Sequence, residues 1–336
     1  MEKYERGGKL GEGAWGVVTE AIQKSTGRKV AIKKIRTGKF REGVNFTALR
    51  EIKMLQELKH ENIVELVDVF FLQDAINLVF EYCETDLETI ILDSSSVLTP
   101  AHIKCHMHML VSAIAHCHKH YVLHRDLKPN NLLYSRDGVL KLADFGLARL
   151  QGSPGRMMTP TVVTRWYKPP ELCFKASEYS EMVDVWGMGC IFAELMLRRP
   201  LFPGNDDIDQ LAKIFQVLGT PSKETWPQVG ALPEFVEFTR QEPLDLRSQL
   251  FTAAGADAMD LMLKLLVLYP ARRLSAQAAL QHEYFTNAPA AAEPSALSLP
   301  IPDERKGLTR KREADDAHNP AKRERPITPK DTPRAA

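Results

Sequence analysis

His124-Arg125-Asp126-Leu127-Lys128-Pro129-Asn130-Asn131, followed after a short predicted hairpin by Leu142-Ala143-Asp144-Phe145-Gly146, decides how the rest of the chain is read. Phosphoryl transfer asks a protein for little covalent chemistry, but it needs charge neutralisation and an aligned hydroxyl nucleophile. These residues offer both. Asp144 and Asn131 present hard oxygen donors suited to Mg2+. Asp126 suits a base that orients a hydroxyl and accepts its proton, and Lys128 balances phosphate charge. Toward the N-terminus, Gly11-Glu12-Gly13-Ala14-Trp15-Gly16-Val17-Val18 sets Gly11, Gly13 and Gly16 between two β-rich runs, so backbone amides can approach phosphate without Cβ obstruction. A dinucleotide-binding glycine motif leads into a helix, whereas Val17-Val18-Thr19 continues as strand. Val30-Ala31-Ile32-Lys33 then ends a buried strand on a lysine whose charge needs an anion or a carboxylate. Glu51, on the amphipathic helix that follows, is the candidate partner.

Around these motifs the chain divides into a sheet-rich front and a helix-rich back. Short β-rich runs separated by glycine turns fill residues 4–35, and Ile76-Asn77-Leu78-Val79-Phe80 adds a strand. Leu49, Ile52, Leu55 and Leu58 recur at three-residue steps and predict a helix over Thr47–Lys59. Pro100 opens another helix, Met182–Leu197 is nearly continuous in apolar residues, and Asp257–Leu268 and Ala276–His282 read as two more. The class is α+β with a cleft between two lobes: an N-lobe over 1–82, a C-lobe over 83–285 and a tail over 286–336. The tail is rich in Ala, Pro, Ser and charge and is expected to lack order over most of residues 287–336.

The 336 residues carry 44% hydrophobic content, enough for a sizeable core, and a formal net charge of +1 that supplies no global attraction to nucleic acid or a membrane surface. No run of about 18 apolar residues occurs, so no membrane-spanning helix is expected, and the chain reads as soluble and intracellular. Cys83, Cys105, Cys117, Cys173 and Cys190 form no CxxC pair and read as reduced thiols. His102/His106 and His116/His120 stand at i, i+4 spacing and mimic a zinc face. Ile103, Met107, Leu110 and Ile114 instead predict an ordinary buried stripe, with the histidines largely on other faces and no third-element ligand evident.

Glycine loop, Val-Ala-Ile-Lys, helix glutamate, His-Arg-Asp, Asn131 and Asp-Phe-Gly stand in the order of the eukaryotic protein kinases, and the resemblance covers about residues 4–285. Asn45-Phe46-Thr47-Ala48-Leu49-Arg50-Glu51 and Val163-Thr164-Arg165-Trp166-Tyr167 resemble the cyclin-dependent kinases. Phe40-Arg41-Glu42-Gly43-Val44-Asn45, Glu84-Thr85-Asp86-Leu87-Glu88, the doubled Asn130-Asn131, Gly152-Ser153-Pro154 and Ile208-Asp209-Gln210-Leu211 narrow this to the cyclin-dependent-kinase-activating type. The resemblance implies an ATP- and Mg2+-dependent serine/threonine kinase with a cyclin H-like partner and a RING-finger assembly factor. It implies as substrates other cyclin-dependent kinases and the RNA polymerase II repeat. It also implies Phe80 behind the adenine pocket, backbone groups of Glu81 and Cys83 toward adenine, walls from Leu10, Val18, Ala31 and Leu133, and Asp86 among the nucleotide contacts. Asp184 and Trp186 would anchor the catalytic loop, and Arg273 would pair with Glu171. The nearer alternative is another cell-cycle or transcriptional cyclin-dependent kinase with a different cyclin; a cyclin-binding pseudokinase is the different-class alternative, but it would be marked by loss of Lys33, Asp126 or Asp144, and all three are present.

Regulation is implied by the same resemblance. Thr159 stands where the family carries an activating phosphothreonine, with Arg50, Arg125 and Arg149 as receivers of the phosphate. Ser153-Pro154 and Thr159-Pro160 are both proline-directed sites. Lys168-Pro169-Pro170-Glu171 replaces the usual Arg-Ala-Pro-Glu, a change expected to bear on loop rigidity. Ala14-Trp15 replaces the Thr-Tyr pair of an inhibitory brake. The backbone near Val162-Val163 implies Ser-Pro and Thr-Pro targets, because proline has no amide hydrogen to strand. Arg310-Lys311-Arg312 and Lys322-Arg323-Glu324-Arg325 resemble a bipartite import signal, implying a nuclear as well as cytoplasmic protein.

Overall fold

The computed structural model describes residues 3–13, 16–36, 46–72, 75–152, 158–159 and 163–300. The front lobe is one antiparallel sheet in the order β1-β2-β3-β5-β4, built from β1 (Tyr4–Gly13), β2 (Gly16–Gln23), β3 (Lys29–Arg36), β4 (Leu66–Leu72) and β5 (Ala75–Glu81). Helix α1 (Phe46–Glu57) packs on it. Register decides which side chains share a face. Val18 stands opposite Lys33 and Lys33 opposite Leu78, while Ala31 stands opposite Phe80. Directly paired residues project to the same side and i, i+2 residues repeat it, so these five point one way. Val30, Ile32 and Val79 point the other way into a small separate cluster with Tyr4 and Ala21.

After the sheet come β6 (Thr85–Asp86), α2 (Leu87–Leu92), α3 (Pro100–Lys119), β7 (Val122–Leu123), β8 (Leu132–Tyr134), β9 (Leu140–Leu142) and β10 (Arg149–Leu150). Helices α4 (Pro170–Cys173), α5 (Met182–Leu197), α6 (Asp207–Leu218), α7 (Leu246–Gln249), α8 (Ala256–Leu265), α9 (Ala276–Ala279) and α10 (Glu283–Thr286) complete the back lobe. Thr99 caps α3 by accepting the His102 N–H at 3.2 Å, with Pro100 at the first position, where its missing N–H costs nothing. Helix α5 is buried almost all round and apolar but for Asp184 and Glu194. The predicted Ala276–His282 helix is cut to Ala276–Ala279, and α2 and α6 were not predicted.

A buried ion pair ties the back lobe together. Arg273 donates to both Glu171 oxygens, at 2.6 and 2.7 Å, and to the Met182 and Leu268 carbonyls. Its guanidinium also lies 5.0 Å from the Trp186 ring. The substituted Lys168 is buried, and its ammonium reaches both Asp207 oxygens at 2.9 Å, so the loop is held to the first turn of α6.

Two expectations are corrected. His106 is not on an outer face of α3: it is buried, with Nδ1 2.6 Å from the Tyr134 hydroxyl, and burial drives its pKa down to about 3. His116 does meet a ring from another element, since the His60 ring lies tilted against it at 4.8 Å, with His120 of its own helix end at 4.4 Å, yet no group of three or more His, Cys, Asp or Glu among the described residues is placed to hold a metal ion. The chain beyond 286 is also packed farther than expected. Residues 287–300 run back along α3, with Leu297 buried, while 301–336 and its basic clusters lie outside the described residues.

Removing one partner of a buried pair strands the other charge. Arg273→Met is expected to destabilise the fold by about 3–5 kcal/mol, read as a lowered chemical-denaturation midpoint, and a change below about 1 kcal/mol would contradict the assignment of this pair as the internal tie.

Candidate active site

Lys33 is the meeting point of the two lobes. Its ammonium donates to Glu51 at 2.8 and 3.2 Å and to Asp144 Oδ1 at 3.0 Å. Strand β3 supplies the lysine, α1 the glutamate and the loop after β9 the aspartate. Burial alone would discharge Lys33, but the Asp144 and Glu51 charges outweigh it and raise its pKa, keeping it cationic. For Asp144 burial pushes upward, and the Lys33 charge and hydrogen bond, with help from Lys128 and His124, hold it below the usual carboxylate range. Glu51 is buried, and that burial raises its carboxyl in spite of Lys33. Asp144 sits at φ 63, in the left-handed region, where a short polar side chain is tolerated.

A second constellation forms beside it. Asp126 Oδ1 accepts the Thr164 hydroxyl at 2.9 Å and its N–H at 3.3 Å, and Asp126 Oδ2 lies 3.2 Å from the Lys128 ammonium. Lys128 also donates to Thr164 Oγ1 at 3.1 Å. Asn131 Nδ2 donates to the Asp126 carbonyl at 2.8 Å and to Oδ2 at 3.1 Å. With its amide nitrogen so used, Asn131 keeps its oxygen as an acceptor. The loop stands on Asp184 of α5, which accepts from the His124 and Arg125 N–H groups at 2.9 and 2.8 Å and lies 3.0 Å from His118 Nε2. Thr164 was not singled out from sequence as a site residue; a hydroxyl thirty-eight positions from Asp126 meets it only through the fold.

Above these groups, β1 and β2 close the glycine hairpin, Gly13 paired with Gly16. A Cβ on Gly16 would lie 2.0 Å from the Lys34 carbonyl, at φ 146, so only glycine fits. Val18, Ala31 and Phe80 share the cleft-facing side of the sheet by register, with Leu133 half-buried on β8 below and Leu10, at 41% exposure, at the rim. Gly11, in β1, lies opposite Val18. Glu81 places its carboxylate 3.0 Å from Lys141 and accepts the Glu65 N–H at 2.8 Å, which braces the connection between lobes. Asp86 caps α2, accepting from the Thr89 N–H at 2.8 Å and hydroxyl at 3.0 Å, and Glu88 accepts from Asn130.

In the switch segment, Arg125 donates to the Leu147 carbonyl and, at 2.7 Å, to the Tyr179 hydroxyl, which itself donates to the Thr159 carbonyl at 2.8 Å. Tyr179 is a link that sequence reasoning missed. Arg149 is half-buried nearby in β10, with Nε lacking a partner among the described residues. The Arg50 side chain, Ser153, Pro154, Pro160, Val162, Ala14-Trp15 and residues 40–45 lie outside the described residues.

A β-sheet lobe and a helical lobe clasping a lysine, two aspartates and an asparagine define a protein kinase. The protein kinase domain model matches residues 4–285, and the chain belongs to this family. Within it the chain is a cyclin-dependent kinase of the activating type and an ATP-dependent serine/threonine kinase. It is 52% identical to "Cyclin-dependent kinase D-1" of Oryza sativa subsp. japonica over 90% of this chain and 71% of the relative. It is 50% identical to "Cyclin-dependent kinase 7" of Dictyostelium discoideum over 90% of this chain and 84% of the relative. Among solved structures it resembles a chain of the CAK complex from Chaetomium thermophilum bound to ATP-gamma-S, with TM-score 0.83 and 42% identity, covering 88% of this chain and 94% of that one.

Cys83 is the half-buried thiol of the five, and burial with the Glu81 charge raises its pKa to about 12. Alkylation of the native chain should be confined to Cys83 and slow at pH 8, its rate still rising tenfold per pH step beyond about pH 9. A plateau near pH 8.5 would contradict the raised value.

Proposed function

We propose that this kinase, paired with a cyclin H-like subunit and a RING-finger assembly factor, transfers the γ-phosphate of ATP to Ser-Pro and Thr-Pro hydroxyls. Its targets are the activation loops of other cyclin-dependent kinases and the RNA polymerase II C-terminal repeat. The observation that carries the reading is the pair of joined constellations, Lys33–Glu51–Asp144 and Asp126–Lys128–Thr164. Asp126 orients the acceptor hydroxyl and takes its proton, and Lys128, released from one of its present partners, neutralises the transferred phosphoryl. Lys33 holds the nucleotide phosphates while Glu51 fixes its position. Asn131 and Asp144 are the residues that would hold Mg2+: an amide oxygen left free by its own NH2 contacts and a carboxylate kept ionised form a hard donor set that fits it. Bound there, Mg2+ would neutralise charge on the phosphate oxygens.

Specificity for proline is supported by Val163. At φ 70 a β-branched residue is strained, and a backbone so turned would offer no carbonyl to the residue after the acceptor, whose N–H would then be left without a partner. The cyclin is supported by the names of the relatives and by Leu49 on α1 and Phe71 on β4, apolar side chains left exposed where a partner would grip the Glu51 helix. Phosphorylation of Thr159 would bring Arg50, Arg125 and Arg149 onto one phosphate. A nuclear location with no direct nucleic-acid or membrane contact completes the proposal.

In the cyclin-bound complex, Asp126→Asn is expected to lower kcat on a Ser-Pro peptide by about 10²–10⁴-fold; full activity in that variant sinks the assignment. The native complex should favour Ser-Pro over Ser-Ala peptides by about 5- to 150-fold, the cost of one stranded N–H, and equal rates would refute the proline rule.

A further inference from the structure

Residues 287–300 follow the last helix and return along the back lobe to the hairpin that joins the proposed metal ligands. The anchors are specific. Lys104 of α3, almost fully buried, donates to the Asn287 and Pro289 carbonyls at 2.7 and 2.6 Å, with its ammonium 5.0 Å from the Tyr284 ring. A buried ammonium is costly unless hydrogen-bonded, so this contact is a committed one. Asn287 Nδ2 also donates to Asp257 at 2.8 Å, and the Ala292 N–H to the Ala101 carbonyl at 3.0 Å. Leu297 then enters the main core.

Between these anchors the segment meets the turn of the β8–β9 hairpin. Gly138 stands at φ 78, and a Cβ there would lie 1.9 Å from the Pro294 carbonyl oxygen, so the two backbones touch. The hairpin begins directly after Asn131 and ends just before Asp144, with the Ala143 N–H donating to the Asn131 carbonyl at 2.9 Å. It carries Leu133 of the nucleotide wall, and β6, with Asp86, pairs along its other edge. The opposite side of β9 is held by the loop before β4, through Asn62 Nδ2 to the Leu140 carbonyl at 3.1 Å and the Leu142 N–H to the Asn62 carbonyl at 2.8 Å. The turn is the end of the hairpin that those contacts do not reach.

We propose that residues 287–300 form a strap that positions the β8–β9 hairpin, and through it the Asn131–Asp144 pair and Leu133, for nucleotide binding. The inference rests on reading Asn131 and Asp144 as metal ligands. Lys104 and Leu297 are thus positioning residues that touch no substrate.

The test uses the full chain in its cyclin complex, with Lys104→Met, which keeps the apolar stem and removes both carbonyl contacts, and Leu297→Ala, which loosens the far anchor. Amide hydrogen exchange over residues 135–143, measured without nucleotide, should speed up in both variants. KM for ATP at fixed Mg2+ should rise by about 2- to 30-fold with kcat nearly unchanged. If the variants only lower Tm and leave exchange and KM as in the native complex, the strap is a fold anchor and the inference is overturned. Asp144→Asn, run alongside, keeps the two readings apart. It must remove the Mg2+ dependence of ADP binding; if it does so while the strap variants change neither exchange nor KM, the strap inference alone falls. If Mg2+ dependence survives in Asp144→Asn, the metal-ligand reading falls, and the strap's role for that pair falls with it.

Discussion

The active arrangement depends on one buried cation. Lys33 belongs to the sheet, Glu51 to helix α1 and Asp144 to the other lobe, and the Lys33 ammonium holds the two carboxylates at 2.8 and 3.0 Å. Taking such charges out of water costs several kcal/mol per ion, so the contact is weak evidence for stability. Its value is geometric. Moving either carboxylate away removes one of the two partners that hold the Lys33 ammonium in place, so the position of α1 and the position of the Asp144 loop both act on the same side chain. Exposed Leu49 on the outer side of α1 makes the helix the natural place for a partner to bias this alignment.

Buried polar anchors recur at each step down the molecule. Asp184 holds the catalytic loop by two backbone N–H groups, and its neighbour in α5, Trp186, sits under the Arg273 guanidinium that grips Glu171. Burial pushes the Asp184 carboxyl upward, and His118, His124 and the donated N–H of Arg125 more than offset it, so the group stays charged where its charge is used. Rigid support of this kind lets a short loop present Asp126 and Asn131 at fixed spacing.

Much of this was legible in the sequence because the chemistry is local there. Asp126, Lys128 and Asn131 fall within one turn-rich stretch, Asp144 follows after one hairpin, and the Lys33–Glu51 pairing was readable from a buried strand lysine that needed a carboxylate. Arg273 and Glu171 meet as the family resemblance implied. Other features were not legible. His106 lies on the buried side of α3, where Tyr134 on β8 offers it a hydroxyl. Composition suggested that the chain loses order after Thr286, but a buried lysine and a glycine turn hold it to Pro300. Nothing in the Ala- and Pro-rich segment itself records those distant partners.

Sequence by itself determined the class, the order of the motifs and the residue types able to do phosphoryl transfer, because each rests on spacing along the chain and on intrinsic side-chain chemistry. Only the tertiary structure decided that Thr164 joins Asp126 and Lys128, that Tyr179 links Arg125 to the Thr159 backbone, and that residues 287–300 lie against the hairpin between Asn131 and Asp144. These contacts join positions far apart in the chain, and which of many possible long-range pairings forms is set by how the whole core packs.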